Sequence, residues 1–214
     1  MRRHVVGLAS AEYRHVRHRE YPAGNGELGY AVLLCLLQQG RAVAVIGGGP
    51  AGMAAAYQLR RKGHSATVFE SQPELGGMMR YGIPGYRIPR DKLDHEVNRI
   101  VDMGVETRMK TRVGRDVPAE EVEKEFDAVL WALGCWSGRG LPVPGWEGTP
   151  NCVSGVAFLK AFNEGRMKVT ADKVICIGGG DTSIDVVSVA RRLGQISNPQ
   201  PKDRQEAEHK GNVR

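Results

Sequence analysis

"VAVIGGGPAGMAAAYQLRRKGHSATVFE" (residues 43–70) reads as a strand, a glycine turn, an alanine-rich helix and a second strand. "RAVAVI" (41–46) is a short apolar run, and "GGGPAG" (47–52) has the Gly/Pro density of a turn. "MAAAYQLRRKG" (53–63) has helix composition and halts at Gly63, and "SATVFE" (65–70) is a second β-rich run. Two strands joined through a helix within about 30 residues must lie parallel, so the stretch predicts an α/β fold with a parallel sheet.

The glycine spacing points to a ligand. A helix N-terminus offers unpaired N–H groups and a partial positive charge, which suit the doubly charged pyrophosphate of a dinucleotide. Gly47 permits the sharp strand-to-helix turn, Gly49 removes the side chain that would block the phosphates, and Gly52 lets helix and strand pack closely. Glu70 ends the second strand and is placed to accept hydrogen bonds from a ribose hydroxyl. Strand, turn, helix and terminal acid agree, which a bare glycine pattern would not.

The same device opens again at "KVICIGGGDTSID" (173–185), with Gly178 and Gly180 in the equivalent places and Ser183 where the third small residue belongs. A carboxylate near a pyrophosphate repels it unless it caps the helix or points away, and helix capping is the preferred reading of Asp181. Two dinucleotide turns on one polypeptide imply two dinucleotides whose redox rings meet between domains.

Between them, "SQPELGGMMRYGIPGYRIPR" (71–90) is dense in Gly and Pro and reads as a long shaped loop. "DKLDHEVNRIVDMG" (91–104) predicts a helix with Asp91 at its N-cap and Leu93, Val97, Ile100 and Val101 on one face. "VETRMKTRV" (105–113) alternates like a strand, "VPAEEVEKEF" (117–126) is a short helix, "DAVLWALG" (127–134) a buried strand and "VAFLKAFNEG" (156–165) a helix. The predicted organisation is an N-terminal extension over 1–40, poorly ordered or helical, and a first dinucleotide-binding domain over 41–170. The first strand, turn and helix of a second domain follow over 171–196, then a polar tail over 197–214. The second βαβ unit is opened and not completed, so the chain reads as a fragment or as one piece of a split protein.

Composition bounds the alternatives. Part of the net charge of +6 comes from residues 1–20, where five arginines face two glutamates, but no aromatic interleaving supports a nucleic-acid arm. Cys35, Cys135, Cys152 and Cys176 have neither metal-ligand nor Cys-x-x-Cys spacing, so no metal site is expected and the thiols are expected reduced in a cytoplasmic setting. The apolar run "YAVLLCLL" (30–37) is too short to span a bilayer core of about 30 Å, and Glu12, Glu20 and Glu27 argue against a signal peptide. Neither nucleic acid nor membrane is an expected partner.

Residues 41–196 also carry a resemblance. The opening stretch, its continuation "SQPELGGMMRYGIPGYRIPRDKLDHEVNRI", "FDAVLWALG" and "GGGDTSID" together resemble the small subunit of glutamate synthase and its relatives. Those relatives include the flavin module of dihydropyrimidine dehydrogenase and similar NADPH-dependent iron–sulfur oxidoreductase subunits. The "ELGGMMRYGIP" loop and the "IPR" before the helix are the most specific parts.

The resemblance implies a Rossmann-like FAD/NAD(P)-binding domain followed by the start of a second dinucleotide-binding domain. FAD would occupy the first turn and NADPH the second, with NADH left open. Gly47, Gly49, Pro50, Ala51 and Gly52 would cradle the FAD pyrophosphate and Glu70 its ribose. Gly76, Gly77 and Met78 would pass along the flavin, Arg87 would touch it, Val113 would meet adenine through its backbone, and Gly134 would end the flanking strand. Gly178, Gly179, Gly180, Asp181 and Thr182 would form the nicotinamide-dinucleotide turn.

The implied activity is a FAD-dependent NAD(P)H oxidoreductase passing electrons to a larger electron-accepting subunit or an iron–sulfur protein. No protein side chain is expected to act as catalytic acid or base. Residues 1–40 contain only Cys35, so no iron–sulfur cluster is expected here. The alternative is a non-catalytic module that binds a nucleotide or a partner.

Overall fold

In the computed structural model the described residues are 4–7, 40–138, 140, 142–146, 149, 152–167 and 173–193. They form two compact units, one drawn from 4–7, 40–77 and 94–134, the other from 78–93 and the described residues from 135 onward. The first unit ends at Gly134, and residues 152–167 pack with 181–193 in the second. Expectations for the apolar run 30–37, Cys35 and the tail 197–214 lie outside the described residues.

The first unit is a parallel sheet. Its strands are β1 (His4–Gly7), β2 (Ala42–Ile46), β3 (Ser65–Glu70), β4 (Glu106–Met109) and β5 (Ala128–Trp131), in the order β1-β5-β2-β3-β4. Every neighbouring pair is parallel. Strand β1 departs from the expected N-terminal extension, since residues 4–7 pair with Ala128–Trp131 at one edge.

Helix α1 (Pro50–Arg61) crosses from β2 to β3 and buries Met53, Ala56 and Leu59. It starts with proline at its first turn, where the missing N–H costs nothing, and Gly63 follows its end at φ 83°. The opposite sheet face carries Ala44, Ile46, Phe69 and Val129, covered by Val122 and Phe126 from the region of α4 (Ala119–Glu125). Phe69 and Phe126 meet edge to face at 5.9 Å.

The second unit contains the short helix α2 (Met78–Tyr81), α5 (Gly155–Asn163) and α6 (Asp181–Leu193). Helix α3 (Arg90–Val101) begins in this unit and continues into the first. Ser154 caps α5 by accepting from Ala157 N at 3.2 Å, and Phe158, Leu159 and Phe162 pack on Val186, Val189 and Leu193.

Three local expectations are corrected. The loop 71–90 contains α2, because Arg90 holds that segment folded: Nη1 donates to Met79 O (2.9 Å) and Nη2 to Ile83 O (2.8 Å). Asp91 lies inside the first turn of α3 and not at its cap, since the helix already accepts at Pro89 O from Leu93 N. Residues 173–179 have no regular structure, although "KVICI" has strand composition. A ladder needs a neighbour, and none pairs with this segment among the described residues.

Candidate dinucleotide-binding site

The turn after β2 is built from close backbone approaches. Gly47 has φ 113°, and a Cβ there would collide with the carbonyl of Ala132 beyond β5. A Cβ on Gly52 would strike the carbonyl oxygen of Gly47, so helix and strand touch backbone to backbone. Both glycines are needed by the fold itself.

Gly49 differs. Among the described residues a Cβ there would find only the Cα of Gly77, at 3.7 Å, which leaves its side of the turn open. Gly76 N donates to Gly48 O (2.8 Å), which lays the 76–77 segment beside the turn, and Gly77 has φ 52°. Met53 N is the first helical donor to find a carbonyl, Gly49 O at 2.9 Å. Pro50 has no N–H, and those of Ala51 and Gly52 precede that first bond, as helix starts require. The donors therefore sit where Gly49 leaves space.

Glu70 is 4% exposed and faces the turn. Its Oε2 accepts from Gly48 N at 2.7 Å, and its Oε1 accepts from Gln72 N at 2.7 Å and from Ser71 Oγ at 3.2 Å. The acid expected to serve a ribose is thus also the acceptor that fixes the glycine turn. Sequence reasoning missed this, and it missed Gly48, where a Cβ would collide with the Leu75 side chain. Three adjacent glycines are the only signal that could have found it.

The remaining expected residues lie at stated places. Thr111 N donates to Glu70 O (2.9 Å), and Val113 follows in a tight turn bridged to Val117. That turn is tied by Asp116, which accepts from Arg112 N (2.8 Å) and pairs with Arg115. The Arg115 guanidinium, helped by Arg112 N–H, holds the Asp116 carboxyl down at about 2. Gly134, at φ 71°, follows two residues after the Ala132 that meets Gly47.

Met78 and Arg87 belong to the second unit. Met78 begins α2 and covers Gly82. Arg87 Nη1 contacts both carboxylate oxygens of Asp185, at 2.9 and 2.8 Å, and this partner raises the guanidinium above its ordinary value. Beside it, the Arg192 guanidinium lies 3.8 Å over the Tyr86 ring, and burial pushes the Tyr86 phenol up.

The second glycine turn is open. Among the described residues nothing stands within 4 Å of a Cβ on Gly179 or Gly180, and Gly178, at φ 129°, faces Ser183. Gly180 O accepts from Ser183 N (2.9 Å) and Ile184 N (3.1 Å), which starts α6. Asp181 is therefore the first helical residue and exposed, not the cap preferred from sequence. Its charge still suits the positive helix end. Thr182 packs near Gly155 at the start of α5.

Residues 41–204 match the family model described as pyridine nucleotide-disulphide oxidoreductase. The chain belongs to the pyridine nucleotide-disulphide oxidoreductase family. It is 41% identical to the NADP(+)-dependent formate dehydrogenase subunit beta of Moorella thermoacetica, over 72% of this chain and 22% of that protein. To the glutamate synthase [NADPH] small chain of Mycobacterium tuberculosis it is 39% identical, over 74% of this chain and 35% of that one. Among solved structures, FprA of Mycobacterium tuberculosis in complex with NADPH is similar with a TM-score of 0.63 and 25% identity, covering 72% of this chain and 36% of FprA. The chain thus spans roughly a fifth to a third of the curated relatives' length. Like other members of that family it has an α/β, Rossmann-like fold, and its sequence contains no Cys-x-x-Cys. Among the described residues no helix is long and apolar enough to cross a membrane, and no group of His, Cys, Asp and Glu is arranged to hold a metal.

Proposed function

We propose that the first glycine turn holds FAD and the second receives NADPH, in a chain that passes electrons from NADPH through FAD to a partner protein. The observation carrying this reading is the open face of Gly49 beside Gly77, in a turn where Gly47 and Gly52 are closed in by backbone and Gly48 by the Leu75 side chain. A pyrophosphate fits where a Cβ would stand, with the Ala51 and Gly52 N–H groups as donors. Glu70 Oε2 retains acceptor capacity for a ribose hydroxyl while it holds Gly48 in place. FAD, when bound, supplies hydride acceptance from a nicotinamide and onward electron release. The protein's own share is to bind and orient the two nucleotides.

The partner in this reading is a larger electron-accepting subunit or an iron–sulfur protein, and the setting is the cytoplasm. Relatives named as a subunit beta and a small chain support a partner in general. Exposure of the segment leading into the second turn favours a narrower reading for this chain alone, in which it binds FAD or a partner without oxidising NADPH. The test is reconstitution: purified folded chain incubated with FAD and desalted should retain a flavin absorption band. Folded material that stays colourless contradicts the proposal.

A further inference from the structure

Asp185 lies in the second turn of α6 and is buried, with 5% of its surface exposed. A carboxylate in such a place needs a cation, and Arg87 supplies it through contacts to both oxygens. Seven residues further along the helix, Arg192 stacks on Tyr86. Adjacent loop residues 86 and 87 therefore grip the same helix at two points, two turns apart. Arg90 anchors the loop from its other end, with Nη2 donating to Asn163 Oδ1 at 2.9 Å, and Asn163 Nδ2 donates to Tyr81 O at 2.9 Å. Loop, α5 and α6 are thereby tied by polar contacts around the apolar cluster of Phe158, Leu159 and Val189.

We propose that Arg87 and Asp185 form a brace that sets the helix behind the second glycine turn, with Arg87 acting there as a positioning residue. The functional side of this rests on the reading that Gly178–Thr182 receive a nicotinamide dinucleotide. The chemistry gives it a distinctive signature. Removing Arg87 alone strands a buried carboxylate, whereas removing both charges leaves an apolar contact that the site tolerates. A flavin contact made by Arg87 would not be restored by changing Asp185.

The experiment compares the natural chain, Arg87→Met, and the double variant Arg87→Met with Asp185→Leu. Amide hydrogen exchange over 181–193 is followed with and without NADPH, and FAD retention is measured on the same samples. Arg87→Met should speed exchange in that helix by about tenfold or more, and the double variant should return most of the protection. Unchanged exchange in Arg87→Met, or exchange in the double variant as fast as in the single one, overturns the brace, while flavin lost equally by both variants adds a cofactor contact to Arg87 and leaves the brace to the exchange data. If NADPH slows exchange nowhere even in the natural chain, the nicotinamide reading of the second turn fails, and the contrast between single and double variants still decides the brace.

Discussion

The two glycine turns share a sequence pattern and differ in what stands behind them. The first follows β2, which is flanked in the sheet by β3 and β5, and Gly47 N is bonded to Phe69 O at 2.8 Å. Glu70 closes Gly48 from the side. The second follows residues 173–178, which have no ladder among the described residues, and Ile175 and Ile177 are 88% and 69% exposed. Its helix is well packed on α5 and Cys176 rests against the same cluster, yet among the described residues no strand pairs with the segment. The pattern is common to both turns, and the neighbouring strands decide how firmly each is backed.

That contrast can be broken most forcefully at the third small position. Gly52→Val should collapse the first turn, because the Cβ runs into the carbonyl of Gly47. A destabilisation of about 3 kcal/mol or more is expected in urea unfolding. Ser183→Ala at the matching position of the second turn should stay within about 0.5 kcal/mol. Equal effects at the two sites would contradict the difference in backing.

Glu70→Ala comes next in size. It leaves Gly48 N–H buried without its acceptor, which should cost about 1–3 kcal/mol of stability as well as weakening FAD retention. Circular-dichroism melting checks the first and flavin absorbance after desalting the second. A loss of flavin with no change in melting would return Glu70 to a ribose contact alone. Gly180→Ala sharpens the comparison from the other side: space is open there, so stability should move by no more than about 0.5 kcal/mol.

The smallest effect concerns pH at the 112–116 turn. The Asp116 carboxyl is held down at about 2 by Arg115 and Arg112, so its contribution is fully present above the ordinary carboxylate range and is lost as pH falls through about 2. An NMR titration of Asp116 should show its midpoint well below that of exposed aspartates, and Arg115→Ala should raise it. A midpoint near 4 would remove this pairing from the account.

Much of this was legible in the sequence where the signal is local. Residues 65–70 read as a strand because turn residues bound a β-rich run, and β3 has those limits. Leu93 and Val97 were legible as one helix face from spacing, and both are buried. What was not legible depends on distant pairing. Strand β1 exists through register with β5, more than 120 residues away. Glu70 reaches Gly48 because β2 and β3 align Ile46 with Phe69, a register no local pattern encodes. Arg87 and Asp185 are 98 residues apart, and nothing near either one names the other. "KVICI" fails in the opposite way, with strand composition intact and no partner among the described residues to realise it.

The most direct measurement is a paired FAD titration of the natural chain and Gly49→Val, followed by flavin absorbance, with melting recorded for both. Saturable binding by the natural chain, and none by a folded variant, is the predicted result. Equal binding by the two proteins, or no binding by the natural chain in folded form, would contradict the claim that the open side of this turn is the cofactor's seat.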